Sequence, residues 1–144
     1  MYPIDLAHLN RGTNLRLVAD GVYVGGNDAN VPGVSVIQLA PQNPPLTGRV
    51  NVLRRPISDG VPVSPQLLDE VVDFACRVQP PILVQCYAGL SRSASIAYAI
   101  MRACMGVDAA EALRRVSGQT RDGSRWPHPN VIASVREWER MRGI

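Results

Sequence analysis

Lysine is missing from this 144-residue chain; all 15 basic residues are arginine, which we read as GC-rich coding bias. Histidine is nearly missing too, with only His8 and His128. Two histidines and three scattered cysteines (Cys76, Cys86, Cys104) make no recognisable metal-ligand set, so neither a metal nor a cofactor is expected. A Cys–His hydrolase would need one of those histidines as its base. Nothing in their spacing favours this, and His128, set between Pro127 and Pro129, reads as a surface-loop residue. No apolar run approaches the roughly eighteen residues that a membrane span requires. No dense basic run with interleaved aromatics appears, so a nucleic-acid partner has no support, although the net charge of +3 mildly favours anions. Three irregularly spaced cysteines argue against a disulfide framework and for a reducing compartment, with Cys76 and Cys104 packed as buried thiols. Met1–Asp5 lacks the basic-then-apolar layout of a secretion signal. A cytoplasmic location is therefore expected.

The length suits one domain over residues 1–144, with 46% apolar residues for its core. Leu15–Val18 and Val22–Val24 read as strands joined by an Asp20-Gly21 turn. Val34–Leu39 is a continuous apolar strand, as expected when both faces are covered, and Val50–Leu53 is the next. Ser64-Pro65 supplies an N-cap and first-turn proline for a helix to about Val78, with Leu67, Leu68, Val71, Val72 and Ala75 on one face. Ile82–Gln85 is a strand, and Arg92 opens a helix to about Met105 with a core stripe of Ile96, Ala97, Ile100, Met101 and Cys104. Asp108 and Glu111 resemble a capping box for a short helix, and Asn130 starts the last one. Alternating strands and helices predict an α/β fold: a mainly parallel sheet of four or five strands with helices on both faces.

The chemistry concentrates in Val84-Gln85-Cys86-Tyr87-Ala88-Gly89-Leu90-Ser91-Arg92-Ser93. A cysteine closing a strand and an arginine opening a helix leave five residues, Tyr87 to Ser91, between them. Their backbone N–H groups can turn inward and cradle an anion at the helix N-terminus. Gly89 can take the positive φ that such a nest needs. A free thiol titrates near about 8.5, and inward N–H groups, the helix dipole and Arg92 would all favour the thiolate of Cys86. Arg92 can hold two phosphate oxygens at once, a geometry that lysine cannot reproduce.

The segment resembles the signature of the cysteine-dependent protein tyrosine phosphatases, His-Cys-x-x-Gly-x-x-Arg-Ser/Thr, and its Ala-Gly-x-Ser-Arg-Ser spelling is most similar to the dual-specificity branch. Gln85 stands where the family has histidine; it can hydrogen-bond but carries no charge. The resemblance implies Cys86 as nucleophile, Arg92 as phosphate clamp, and Ser93 as a donor to the sulfur. The phosphate would lie on the backbone of Tyr87, Ala88, Gly89, Leu90, Ser91 and Arg92. It also implies an aspartate general acid from a loop after an upstream strand. Asp59, in Ser58-Asp59-Gly60 and 27 positions before Cys86, fits that place, with Asp122 in reserve. Asp69 and Asp73 read as the solvated face of a helix.

The expected activity is hydrolysis of phosphotyrosine, and of phosphoserine or phosphothreonine if the site is shallow, through a cysteinyl-phosphate intermediate. No positive charge stands between Cys86 and Arg92, which favours a phosphoprotein over a phosphoinositide or an RNA end. Tyr87 either lines the rim or packs on the sheet. Two other classes remain open: a phosphate-binding module that has lost catalysis, and a sulfur-transfer or arsenate-reducing enzyme.

Overall fold

The computed structural model describes residues 5–46, 51–119 and 121–144. The chain opens with α1 (Leu6–Leu9), followed by the antiparallel pair β1 (Arg16–Ala19) and β2 (Val22–Gly25). With β3 (Ser35–Gln38), β4 (Val52–Arg54) and β5 (Ile82–Gln85) these form a five-stranded sheet in the order β1-β2-β5-β3-β4. Every pairing except β1–β2 is parallel, as expected of the sheet. The strand expected over Val50–Leu53 runs Val52–Arg54, and Val50 lies outside the described residues.

β5 is the central strand and all four of its residues are buried. Its alternation divides the interior: Ile82 and Val84 enter the main core, whereas Leu83 joins Ala29, Val31, Val34 and Val36 on the other face. α2 (Pro65–Val78), α3 (Arg92–Cys104), α4 (Ala109–Val116) and α5 (Pro129–Arg142) build the main core. The smaller cluster is covered by Leu6 of α1 together with Leu15, Tyr23 and Leu46.

Local chemistry sets the helix starts. Ser64 Oγ accepts the Leu67 N–H at 3.2 Å and Pro65 occupies the first turn, so α2 begins where expected. Leu68, Val71, Val72 and Ala75 face inward with Phe74; Leu67 is only partly buried. Asp108 caps α4 by accepting the Glu111 N–H at 3.0 Å. The capping box does not close, because the Glu111 carboxylate turns to Arg114 and Arg115, which hold it down to about 2. α5 starts one residue earlier than expected, with Pro129 in its first turn and His128 Nδ1 accepting the Asn130 N–H at 3.1 Å.

α3 departs from the one-sided stripe that its periodicity predicts. Every residue from Arg92 to Met101 is buried, because α2, α4 and α5 pack on the sides that the sheet leaves open. Ala94, Ala97 and Ala99 keep those approaches close, and burying Ile96 and Ile100 contributes about 1.5–3 kcal/mol each. Cys104 leaves the stripe for another reason: it is disulfide-bonded to Cys76 of α2. This overturns the expectation of unpaired, merely packed thiols. A separation of 28 residues carries no sign of the pairing, which arises because α2 and α3 bring the two Cα atoms within 5.5 Å. Cys86 stays free and buried. Asp69 is likewise not simply solvated; its Oδ1 accepts from Trp138 Nε1 at 2.9 Å and Arg142 Nη1 at 3.0 Å, tying α2 to α5.

A buried polar cluster joins α3 to α5. Tyr98 donates to Glu139 Oε2 at 2.7 Å, and Arg102 forms an ion pair with the same carboxylate. Burial, reinforced by the Glu139 bond, pushes the Tyr98 hydroxyl up to about 12. No helix among the described residues is long and apolar enough to cross a membrane.

Glu139→Ala leaves Arg102 without its buried partner, and chemical denaturation is expected to show a loss of about 3 kcal/mol. Because the folded-state value of Tyr98 is raised, its contribution is complete below pH 10 and disappears as pH climbs toward about 12. A Tyr98→Phe variant should lose that alkaline slope in denaturation curves measured across this window. Replacing both Cys76 and Cys104 with Ala should lower stability by about 2–4 kcal/mol relative to the oxidised protein, as the loss of a cross-link predicts.

Candidate active site

Cys86 follows the buried end of β5, and Arg92 begins α3, so the loop between them lies beyond the carboxyl edge of the central strand. Ligands bind there in open α/β sheets. Cys86 is 2% exposed, and its sulfur lies 3.2 Å from the Gly89 nitrogen, whose N–H donates to it. Ser93 Oγ is 3.3 Å from the sulfur on the helix side. The protonated thiol donates to that oxygen; a thiolate would receive the hydroxyl proton instead. Gly89 sits at φ +79°, and a Cβ there would lie 2.5 Å from the Gly26 nitrogen. Both the backbone angle and the close approach therefore demand glycine.

The loop turns the Gly89 N–H toward the sulfur, and four of its carbonyls in succession are met from outside. Asn43 Nδ2 donates to the Cys86 carbonyl at 3.1 Å, and the Asn27 N–H to that of Tyr87 at 2.7 Å. Asn14 Nδ2 donates to the Ala88 carbonyl at 2.7 Å, and Arg16 Nη1 to that of Gly89 at 2.7 Å. Gln85 sits beneath this ring, 2% exposed. Its Nε2 spans the carbonyls of Gly26 and Asn27 (3.1 Å each) and Ala29 (3.2 Å), and its Oε1 accepts from Gln38 Nε2 at 2.9 Å. Gln38 in turn accepts from Arg54 at 3.0 Å. Gln85 thus serves as a neutral buried strut.

Cys86, Tyr87, Ala88, Leu90, Ser91, Arg92 and Asp59 line one cavity of about 240 Å³. Arg92 is 7% exposed; its Nη1 donates to the Ile57 carbonyl at 2.9 Å, and its buried Nε has no partner among the described residues. The Arg92 guanidinium thereby reaches across to the segment that carries Asp59. Asp59 is exposed at the cavity wall and accepts the Gly60 N–H at 2.9 Å. Gly60, at φ +75°, is anchored to the start of α5 by Asn130 Nδ2 at 3.1 Å. Tyr87 is 56% exposed and lies at the cavity edge instead of packing on the sheet.

Asp122 does not join the cavity; its Oδ1 accepts the Ser124 N–H at 2.9 Å within the hairpin of β6 (Gly118–Gln119) and β7 (Arg125–Trp126). That hairpin went unread in the sequence, yet Ser124, Arg125 and Trp126 form one wall. Its packing has a signal in hindsight: a Cβ on Gly118 would fall 1.9 Å from the Trp126 ring. His128 also lines the cavity instead of sitting on an isolated surface loop, with its backbone N–H donating to Ser91 Oγ at 2.9 Å. Asn14 and Arg16 were likewise missed, because nothing in Asn-Leu-Arg at a strand start marks contact with residues some seventy positions away.

No family model and no curated protein matches this chain. Among solved structures, human DUSP28 is 24% identical, covers 89% of this chain and 96% of its own, and superposes with a TM-score of 0.70. The human tyrosine phosphatase-like serine/threonine/tyrosine-interacting protein is 18% identical, with 89% and 97% covered and a TM-score of 0.69. PTPMT1, solved in complex with PI(5)P, is 21% identical, with 88% and 95% covered and a TM-score of 0.66. The five-stranded sheet, the helices packed on it and these neighbours agree: the chain has the fold of the dual-specificity cysteine phosphatases.

Proposed function

We propose that residues 1–144 form one cysteine-dependent phosphoprotein phosphatase domain that works through a cysteinyl-phosphate intermediate. The observation that carries this reading is the buried Cys86 sulfur, held between the Gly89 N–H and Ser93 Oγ in a cavity that also presents Arg92 and Asp59. The Cys86 thiolate attacks phosphorus, and the bond to the leaving oxygen breaks with its electron pair. Asp59, protonated at the start, gives that oxygen its proton. Water then attacks the cysteinyl phosphate and Asp59 takes a proton from it, while sulfur leaves as a thiolate that the Ser93 hydroxyl stabilises. Arg92 and the N–H groups of Tyr87 to Arg92 hold the phosphoryl oxygens throughout.

The aromatic rings of Tyr87 and Trp126 flank the cavity, which supports phosphotyrosine as a substrate. The absence of charged side chains from Tyr87 to Ser91 supports a simple monoester on protein. A working thiolate must stay reduced, which supports a cytoplasmic setting. Cys86 alone supports that setting, because the Cys76–Cys104 bridge removes the support that three unpaired thiols would give. Gln85, which carries no charge, favours the second reading: a phosphate-binding module without turnover.

Hydrolysis of an aryl phosphate by metal-free protein separates the two. Wild type is expected to turn over and vanadate to inhibit it, with Cys86→Ser inactive. Asp59→Asn should lower kcat about a hundredfold or more at neutral pH, and it should lose the decline in kcat with rising pH that a general acid imposes. Binding of a phosphopeptide without any wild-type turnover would establish the binding module instead.

A further inference from the structure

An anion-binding loop works only if successive peptide groups keep their N–H ends facing the ligand. A trans peptide points its C=O and N–H in opposite directions, so whatever holds a carbonyl outward also aims the next residue's N–H inward. The Ala88–Gly89 peptide shows both ends of this arrangement. Its carbonyl accepts from Asn14 Nδ2 at 2.7 Å, and its N–H donates to the Cys86 sulfur at 3.2 Å. The next peptide is held alike, its Gly89 carbonyl accepting from Arg16 Nη1 at 2.7 Å. Hydrogen bonds at the two ends of one peptide polarise each other, so each clamp strengthens the donor it aims.

Both clamps come from one short segment. Asn14 has φ +58°, a left-handed conformation that asparagine tolerates better than most side chains, and its carbonyl accepts a second bond from Arg16 Nη1 at 3.1 Å. The preceding Thr13 carbonyl accepts the Gly26 N–H at 2.7 Å, which joins the segment to the strip that Gln85 holds. Arg16 Nη2 is buried and has no partner among the described residues. Burial lowers the titration of the Arg16 guanidinium from its ordinary value, and attraction to the Cys86 sulfur opposes that shift. Among the described residues, the other charged or titratable groups lining the cavity with Cys86 are Arg92 from α3, Asp59 from the β4–α2 loop, and Arg125 and His128 from the segment entering α5. Tyr87 lies on the rim.

We propose that Asn14 and Arg16 are positioning residues of the anion-binding loop. They hold the Ala88 and Gly89 carbonyls outward so that the Gly89 and Leu90 N–H groups serve the anion and the sulfur, and Arg16 places beside the loop a positive charge that Gln85 does not carry. The proposal deepens the phosphatase reading and rests on it for the nature of the anion.

The test uses tungstate, a phosphate-like oxyanion, measured by calorimetry on the full oxidised chain. A second readout is the pH profile of Cys86 alkylation by iodoacetamide, which the bridged cysteines do not enter. Asn14→Gly keeps a residue suited to φ +58° and removes only the side-chain donor. Arg16→Met is expected to weaken tungstate binding about tenfold, as loss of a charge-assisted, part-buried bond predicts, and Asn14→Gly about threefold, as loss of a neutral exposed bond predicts; both should move alkylation toward higher pH. Arg16→Lys should recover more of the alkylation profile than of the affinity, because it keeps the charge and loses the planar fork. Wild-type affinity and alkylation profile in a folded Asn14→Gly protein, or in folded Arg16→Met or Arg16→Lys, would overturn the proposal. If wild type binds tungstate but hydrolyses no aryl phosphate, the phosphatase reading falls, while the clamp is still judged by the affinities.

Discussion

Turning a backbone N–H toward one point obliges the same peptide to turn its carbonyl away, and a carbonyl so turned can be held by a donor from outside the loop. That obligation organises this structure. The carbonyls of Cys86, Tyr87, Ala88 and Gly89 are met by Asn43, Asn27, Asn14 and Arg16. These donors come from the β3–β4 connection, the segment after β2, and the entry to β1 with its first residue. Three separate stretches of chain thus converge on one loop. The sheet brings them there, because β5 runs between β2 and β3 and ends where they end.

The helix side of the loop is set by packing. α3 is enclosed by the sheet and by α2, α4 and α5, so its first residue has little freedom to move. Arg92 is consequently buried and aimed across the cavity at the Ile57 carbonyl, and Ser93 is held against the sulfur. The tethers between helices, Cys76–Cys104 and the Tyr98–Arg102–Glu139 cluster, lie away from the chemistry and contribute by holding α3 in place. Asp59 differs from these residues. It stands on an exposed loop that Asn130 joins to the start of α5 through the Gly60 carbonyl, so it is open to solvent at the cavity wall.

Gln85 changes in meaning once its surroundings are known. As a letter it is a departure from the histidine of the resembled signature, at the position before Cys86. In the fold its amide bonds to three carbonyls and accepts from Gln38, so the position works as a strut under the ring of donors. A neutral side chain can satisfy so many backbone acceptors without the desolvation cost of a buried charge.

Much of the fold was legible in the residues alone, because helix caps, turns and apolar periodicity are local. Ser64-Pro65, Asp20-Gly21, the apolar run ending at Gln85 and the Cys86-to-Arg92 spacing all act through neighbours within a few positions. Cys86 and Arg92 could be picked out for the same reason, one closing a recognisable strand and the other opening a recognisable helix, while Asp59 was pointed to by the family resemblance together with its place after a strand. The Cys76–Cys104 bond, the cavity wall from Arg125 and Trp126, the inward place of His128, and the Asn14 and Arg16 contacts could not. Each is a meeting of segments far apart in the chain, and only the packing of sheet and helices decides which distant residues meet.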